Sequence, residues 1–256
     1  MTFLSYADLS QTAFPAAGDA VAMLPLAAVE SHGPHLPLGT DGLIVEGILA
    51  RAAAADGGRD RRVLRLPALW LGASAEHADR PGTLSVEPEA LVGQIVAAAQ
   101  GLALAGVRRV VLFNGHGGNA AAAAMAALRL RTRFGMLAVN VHWLDFGLPP
   151  GLAAPGPMAA DIHGGWIETS AILHLAPHLV GGDAIASPPP RRPAPMLFPS
   201  GPIAWGWKTD DLAAGGWIGR PDLATPEIGK ALVEHAAEQT VKLLEEVAAA
   251  AWPDAS

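Results

Sequence analysis

Apolar and polar positions along the chain follow two different periods in alternation. Largely apolar runs of strand length occupy residues 21–29, 63–70, 109–113 and 136–144. Apolar positions recur at helical spacing in residues 41–54, 88–105, 120–133 and 225–250. Strands that alternate with helices predict an α/β layered fold around a mainly parallel sheet, and we interpret residues 1–256 as a single domain.

Residues able to do chemistry follow the predicted strands near their carboxyl ends. They are Glu30 and His32 after the first strand, Ser74, Glu76 and His77 after the second, His116 after the third, and His142 and Trp143 at the end of the fourth. Ligands of open parallel sheets bind beyond the carboxyl ends of the strands. We therefore expect a functional site at this edge.

The segment from Glu30 to Asp41 concentrates carboxylates and imidazoles in a turn shaped by glycine and proline. If the strand continues, Glu30 and His32 project from the same face, and Asp41 returns at the start of the next helix. Carboxylate and imidazole in a tight loop suit a borderline cation such as Zn or Mn. The alternative, a capped turn around a buried histidine, is the weaker interpretation because His35 adds yet another such residue.

A glycine-rich turn, residues 114–119, joins the third strand to the next helix. Such a turn can hold phosphate at a helix N-terminus, but this one has neither the lysine of a P-loop nor the spacing of a dinucleotide-binding loop. His116 lies in the middle of the turn, where glycines let the backbone approach whatever the imidazole binds. A ligand role for His116 is therefore the main hypothesis, with phosphate binding as the alternative.

A third polar cluster, residues 161–170, opens an apolar helix. Its acidic residues suit a capping segment, since negative charge is favourable at a helix N-terminus. His163 and Glu168 nevertheless bracket two glycines, and a carboxylate beside positions that face the core needs a partner. A cation is one such partner, so both roles stay open for this cluster.

Composition excludes several classes of protein. The absence of cysteine excludes disulfides, thiolate metal sites and cysteine nucleophiles. The formal net charge is −7 and basic residues do not cluster, which argues against nucleic acid and anionic membranes as partners. Without a signal peptide or an apolar run of about 20 residues, the expected location is the cytoplasm.

These motifs together resemble the creatininase family, over residues 20–250. The resemblance rests on four ordered segments, which are Glu30-x-His32-Gly33-Pro34-His35 with Asp41, Glu76-His77 with Pro81-Gly82-Thr83, Asn114-Gly115-His116-Gly117-Gly118-Asn119, and His163-Gly164-Gly165 with Glu168. It implies a three-layer α/β/α sandwich, a site for two divalent ions (Zn or Mn, with Fe as a further alternative) and a ring-like homohexamer.

The resemblance also implies roles for individual residues. The metal-ligand pattern maps onto Glu30, His32, Asp41 and His116, with Asp41 in the bridging position. His163 matches a histidine that moves protons at the scissile amide.

The chain departs from the family pattern directly after His116. In creatinine amidohydrolase proper an aromatic residue and a metal-binding glutamate follow, whereas Gly117 and Gly118 stand here. Members with two glycines include the peptidase that trims the mycofactocin precursor peptide and a deformylase acting on a formamidopyrimidine intermediate. We therefore expect Glu168 to supply the missing carboxylate to the second ion.

Substrate contacts are less defined by the sequence than the metal ligands. Trp143 and Trp166 are candidates for stacking on a substrate, with packing as the alternative, and Glu76 and His77 are further candidate contacts. We also expect the tryptophan-rich segment 188–219, with Trp205, Trp207 and Trp217, to lie near a subunit interface or over a neighbouring active site. The alternative is that these tryptophans fold back onto their own core.

The function expected from all of this is metal-dependent hydrolysis of a non-peptide or terminal C–N bond in a small amide, cyclic amide or formamide. Two alternatives stay open. One is a peptidase of the mycofactocin-precursor type, and the other is a non-catalytic protein of the same fold that binds a metal or a small ligand.

Overall fold

The computed structural model describes residues 1–12, 20–55, 62–181, 187, 189–201 and 203–251. Its central sheet contains the strands β1 (Thr2–Ser5), β2 (Val21–Leu26), β3 (Arg62–Arg65), β4 (Arg109–Asn114) and β5 (Leu137–His142). The strands lie in the order β1-β3-β2-β4-β5, and every neighbouring pair is parallel. All carboxyl ends therefore meet at one edge, as the alternating pattern predicts.

Strand β2 lies between β3 and β4 and is buried along its whole length. Pro25 lies within this strand although proline cannot donate to a ladder. It is tolerated because regular pairing with β3 stops at Met23, and the carbonyl of Pro25 accepts from the amide of Leu69 on that side instead. Pairing with β4 continues through Pro25 to Leu26 on the other side.

Helices cover both faces of the sheet. They are α1 (Thr40–Ala54), α2 (Pro88–Leu104), α3 (Ala120–Phe134), α4 (Trp166–Leu175), the short α5 (Thr209–Leu212) and α6 (Pro226–Ala249). Apolar side chains of α1, α4 and α6 form one core cluster with one face of the sheet, and those of α2 and α3 form a second cluster with the opposite face. The result is the expected three-layer α/β/α sandwich.

Helix boundaries follow local chemistry. Pro88 opens α2, and Gly135, with a positive φ of 66°, ends α3. The hydroxyl of Thr225 accepts from the amide of Ile228 and caps α6. From its sequence, Asp56-Gly57-Gly58 is the expected end of α1, but these residues lie outside the described ones.

Three elements differ from the sequence-based prediction by more than two residues. The first strand, predicted over residues 21–29, ends at Leu26. The strand predicted at 63–70 ends at Arg65, because Pro67 lacks an amide hydrogen, and only a bridge between Leu26 and Leu69 continues the pairing. Strand β1 was not predicted. It is a four-residue edge strand with no buried position, so it carries no clear apolar period.

The tryptophans pack against the protein itself. Trp143 and Trp166, 2% and 1% exposed, lie in the core cluster with α1, α4 and α6, which favours packing over substrate stacking. Trp205 and Trp207 are half-buried around Leu212 and Ile218, as in the alternative that they fold back onto their own core. Met196, Phe198 and Ile203 of the same segment are exposed, so an interface near this segment and the homohexamer both stay predictions.

Among the described helices, none combines the length and apolar character needed to cross a bilayer.

Candidate metal centre

The loops at the carboxyl edge of the sheet bring the sequence-predicted site residues together. Seven side chains converge from the loop after β2, the start of α1, the loop after β3, the turn after β4 and the segment that opens α4. They are Glu30, His32, Asp41, His77, His116, His163 and Glu168. All but Glu168 are at most 5% exposed, and the side chain of Glu168 is 17% exposed.

Backbone hydrogen bonds shape the loop that carries Glu30 and His32. The amide of Glu30 donates to the carbonyl of Leu38, which closes the loop into a compact turn. Gly33 adopts a positive φ of 75°, and an added Cβ there would lie 2.9 Å from the ring of Trp217. The turn then delivers Asp41 to the first turn of α1, where a carboxylate is favourable.

Two buried asparagines hold the glycine-rich turn after β4. The side chain of Asn114 donates to the carbonyl of His116 at 2.8 Å and accepts from its amide at 3.1 Å. The Asn119 side chain accepts from the amide of Ala73 at 2.9 Å and donates to the carbonyl of Ala27 at 3.0 Å. These amides connect the loops after β2, β3 and β4, so the position of His116 is fixed by neutral hydrogen bonds.

A first group of ligand atoms consists of Glu30, Asp41 and His116. Nδ1 of His116 lies 3.2 Å from Oε1 of Glu30 and 3.5 Å from Oδ2 of Asp41. Bonds of about 2.0–2.2 Å to a shared Zn ion place two ligand atoms about 3.0–3.5 Å apart. The spacing of this group therefore fits one divalent cation.

A second group consists of His32, His163 and Glu168, with the other oxygen of Asp41 beside it. Nε2 of His32 lies 3.2 Å from Oδ1 of Asp41 and 3.9 Å from Oε2 of Glu168. Glu168 also accepts from the amide of Gly164 at 2.6 Å, which holds its carboxylate toward the site. Asp41 thus presents one oxygen to each group.

Hydrogen bonds on the outer side of the imidazoles determine which nitrogen is free to bind a cation. His32 donates through Nδ1 to the carbonyl of Glu30, and His116 through Nε2 to the carbonyl of Ala73, each at 3.1 Å. A carbonyl only accepts, so these nitrogens carry the hydrogen and the nitrogens facing the carboxylates are bare in the neutral ring. Both histidines therefore present lone pairs to the acidic groups.

His77 and His163 also have one ring nitrogen held by a hydrogen bond on the outer side of the site. His163 donates through Nε2 to the carbonyl of Ser31 at 2.7 Å. The hydroxyl of Thr209 donates to the carbonyl of Glu76, so it accepts from Nδ1 of His77 at 2.6 Å. Their inner nitrogens each lie 3.6 Å from Oε1 of Glu30.

Several buried acceptors at the centre of the site have no hydrogen-bond partner among the described residues. They are both carboxylate oxygens of Glu30, Nε2 of His32 and Oδ2 of Asp41. Buried polar groups without partners are costly, and acceptors that point at one another need a positive charge between them. The residues present therefore fit divalent cations, and a donor set of nitrogen and oxygen without sulfur suits Zn or Mn.

The pKa values of two of the histidines also indicate that the site needs positive charge. Burial opposes charge on His32, yet the carboxylates of Asp41 and Glu168 raise its pKa to about 10. Burial likewise opposes charge on His116, and Glu30 raises its pKa to about 10. The protein without metal thus takes up protons at the nitrogens that we assign to cations.

The four candidate substrate contacts from the sequence divide into two pairs. Glu76 and His77 reach the site. His77 forms a third group of possible ligands with Glu30 and His163 and stacks on His163 with ring centroids 4.0 Å apart, and Glu76 lies 3.5 Å from Nε2 of His116. Trp143 and Trp166 remain in the core. Sequence reasoning did not identify the roles of Asn119 and Thr209, which position other groups of the site. Their only sequence signal is that they lie beside a glycine-rich and a tryptophan-rich turn.

The chain matches the model of the Creatininase family, described as creatinine amidohydrolase, over residues 7–244. It belongs to the creatininase family. A mycofactocin precursor peptide peptidase from Mycobacterium tuberculosis is 32% identical over 228 residues, covering 86% of this chain and 82% of that relative. The creatinine amidohydrolase of Pseudomonas putida is 31% identical over 236 residues, covering 86% of each chain.

Solved structures agree with this membership. A crystal structure of creatinine amidohydrolase superposes with a TM-score of 0.78 at 28% identity and covers 98% of this chain and 99% of its own. Other similar structures are described as a manganese form of creatininase and as a creatininase variant of Zn-Zn type. Membership of the creatininase family makes this chain a hydrolase of C–N bonds and supports divalent metal at the site described above.

Proposed function

We propose that the protein is a metal-dependent amidohydrolase that cleaves a non-peptide or terminal C–N bond in an amide, cyclic amide or formamide. The observation that carries the proposal is the convergence of buried carboxylates and bare imidazole nitrogens that have no hydrogen-bond partner among the described residues. When bound there, two divalent ions lower the pKa of a water molecule and polarise the amide carbonyl.

The two groups of ligand atoms suggest how the protein divides its residues between the ions. Glu30 and His116 serve one position, and His32 and Glu168 serve the other. Asp41 would serve both positions, since Oδ2 lies toward His116 and Oδ1 toward His32. Glu168 takes the role that the family's glutamate has after the ligand histidine.

His163 is the residue we assign to proton transfer. Its Nε2–H is held by the carbonyl of Ser31, which leaves Nδ1 free on the side of the carboxylates. Burial, reinforced by His32, lowers the pKa of His163 to about 4, so the ring is neutral near pH 7. A neutral imidazole accepts a proton at Nδ1 from the attacking water and passes it to the leaving nitrogen as the C–N bond breaks.

A peptidase of the mycofactocin-precursor type is the second candidate function. Gly117 leaves open space beside His116, because an added Cβ would meet no other atom within 4 Å. An aromatic residue follows the ligand histidine in creatinine amidohydrolase proper, whereas this chain has a glycine there, as the members that include the peptidase do. The similarity to the mycobacterial peptidase supports the same alternative.

Metal analysis combined with a hydrolysis screen tests the proposal. We expect two ions per chain in the parent protein and turnover of at least one member of a panel of amides, cyclic amides, formamides and short peptides. Conversion of a formamide to formate and an amine, or of a small or cyclic amide to a carboxylate and an amine, supports the first function. Cleavage confined to peptides supports the second. Bound metal without any hydrolysis would instead support a non-catalytic binding protein.

Two variants separate the roles of the residues. His163→Ala should keep both ions and lower turnover by about 10²–10⁴-fold. Loss of an ion from that variant would make His163 a ligand. Glu168→Ala should retain at most one ion with its circular dichroism spectrum unchanged, whereas two ions in both proteins would remove Glu168 from the ligand set.

We also propose that the protein forms a homohexamer, on the basis of its resemblance to the family. Light scattering at working concentration measures the mass directly, and a monomer would overturn it.

A further inference from the structure

The carboxylate of Glu76 occupies the space in which a side chain at position 118 would begin. A Cβ added to Gly118 would lie 2.3 Å from Oε1 of Glu76, 2.3 Å from the carbonyl oxygen of Ala73 and 2.5 Å from Nε2 of His116. Real Cβ atoms do not approach other heavy atoms so closely. The carboxylate of Glu76 therefore packs directly against Gly118, and the backbone carbonyl of Ala73 also excludes a side chain at this position.

We propose that Glu76 is a positioning residue of the metal centre, which acts on the cation through His116. This inference rests on the proposed metal-dependent function. Nδ1 of His116 lies beside Glu30 and Asp41, while Nε2 lies on the opposite edge of the ring and faces Glu76. Gly118 thus leaves the space behind the ligand open to this carboxylate.

The surroundings of Nε2 explain how the effect is transmitted. Three acceptors from one segment face this nitrogen, at 3.1 Å for the carbonyl of Ala73, 3.3 Å for the hydroxyl of Ser74 and 3.5 Å for the carboxylate of Glu76. Glu76 is the charged one. A negative group behind a ligating imidazole fixes its tautomer and increases the basicity of the other nitrogen, which strengthens the bond to a cation.

The backbone around Glu76 is held from an independent direction. The hydroxyl of Thr209 donates to the carbonyl of Glu76 at 2.9 Å and accepts from His77. The amide of His77 donates to the carbonyl of Ser74 at 3.0 Å, which closes the short turn containing Glu76. The carboxylate therefore faces His116 from a fixed base, and its side chain is only 19% exposed.

A direct contact between Glu76 and the substrate is the competing role, because the carboxylate is partly exposed beside the open space at Gly117. The two roles affect different quantities. A substrate contact changes KM and leaves metal affinity unchanged. A positioning residue changes metal affinity in the absence of any substrate.

The experiment measures the affinity of the metal-free protein for Zn²⁺ and Mn²⁺ by competition with a chromophoric chelator. Glu76→Ala should bind the more weakly held ion about 10–100-fold less tightly than the parent. Glu76→Gln, which keeps the shape without the charge, should fall between them. Glu238→Ala, which removes an exposed carboxylate from α6, is the matched control and should bind as the parent does.

Co²⁺ substitution provides a readout that a purely structural role would not change. The visible absorption of bound Co²⁺ should shift in Glu76→Gln, because the field at His116 changes while the shape of the side chain is kept. Parent-like affinity and spectrum in Glu76→Gln and Glu76→Ala, with altered KM, would overturn the inference and leave the proposed hydrolase intact. If metal affinity falls from the parent through Glu76→Gln to Glu76→Ala but the parent hydrolyses no amide, only the proposed function is overturned. A parent that binds neither Zn²⁺ nor Mn²⁺ would overturn both the function and the inference.

Discussion

The adjacent glycines at positions 117 and 118 make a matched pair for a test of how tightly the turn around His116 is packed. An added Cβ at Gly118 would lie within 2.5 Å of three atoms, whereas one at Gly117 would meet nothing within 4 Å. Neither glycine has a positive φ, so backbone strain does not distinguish the two substitutions. We predict that Gly118→Ala destabilises the protein and that Gly117→Ala does not.

The expected magnitude follows from the contacts of each Cβ. Forcing an extra methyl group into a filled space costs about 1–3 kcal/mol. The carbonyl of Ala73 is backbone and cannot rotate away, so relaxation of Glu76 alone does not relieve the overlap. Both variants gain about 0.4–1 kcal/mol from a less flexible unfolded chain. That gain cancels in the comparison, which leaves Gly118→Ala less stable than Gly117→Ala by about 1–3 kcal/mol.

Urea unfolding of the metal-free proteins, followed by circular dichroism, is the appropriate assay because bound metal would add its own stabilisation. In thermal scans, the same difference should separate the two midpoints by roughly 2–4 °C per kcal/mol for a domain of this size. Equal stability of the two variants would contradict the tight packing of Gly118 against Ala73 and His116. It would also contradict the packing of Glu76 against Gly118.

Further predictions concern charge, hydrogen bonding and the core. The pKa of His32 and that of His116 are both raised from 6.5 to about 10 in the fold, so the stability from their protonation is present below pH 6.5 and is lost as pH rises through 10. Urea midpoints of the metal-free protein should therefore fall between pH 7 and 10, and a flat profile would contradict the assignment. Asn119→Ala should lower the free energy of unfolding by about 1–3 kcal/mol for each backbone partner left unpaired, and it should weaken Zn²⁺ binding. Urea unfolding and chelator competition measure the two effects, and unchanged values would contradict the role of Asn119 in connecting the loops. Trp166→Ala should cost about 3–5 kcal/mol, and Trp166→Phe should leave KM unchanged, whereas a raised KM in the phenylalanine variant would restore the stacking role.

The fold could be predicted largely from the sequence because its central elements have strong and different periods. The wholly buried strand β2 and the long helix α6 are examples in which the pattern alone defines the element. Strand β1 could not be found, since an edge strand with polar and half-buried positions has no period to detect. The early end of β3 depends on regular pairing with β2 stopping at Met23, which is a property of the tertiary structure.

The candidate site was predictable where residues lie close in sequence and uncertain where the fold brings them together. Glu30, His32 and Asp41 stand within one short segment, which made them visible as a group. The orientation of each imidazole depends on carbonyls such as that of Ala73, far along the chain from His116. No sequence pattern encodes such a contact. For the same reason, the position of Glu76 behind His116 became apparent only from the structure.

The site also joins parts of the chain that are far apart in the sequence. Its proposed ligands include Glu30 and His116, on loops after β2 and β4, and Glu168, in the first turn of α4. A cation held by all three would act as a cross-link, and a covalent cross-link that closes a loop of about 100 residues stabilises a fold by about 4–5 kcal/mol. Chelation would then loosen the whole carboxyl edge of the sheet, so resistance to proteolysis would report metal occupancy in the absence of any substrate.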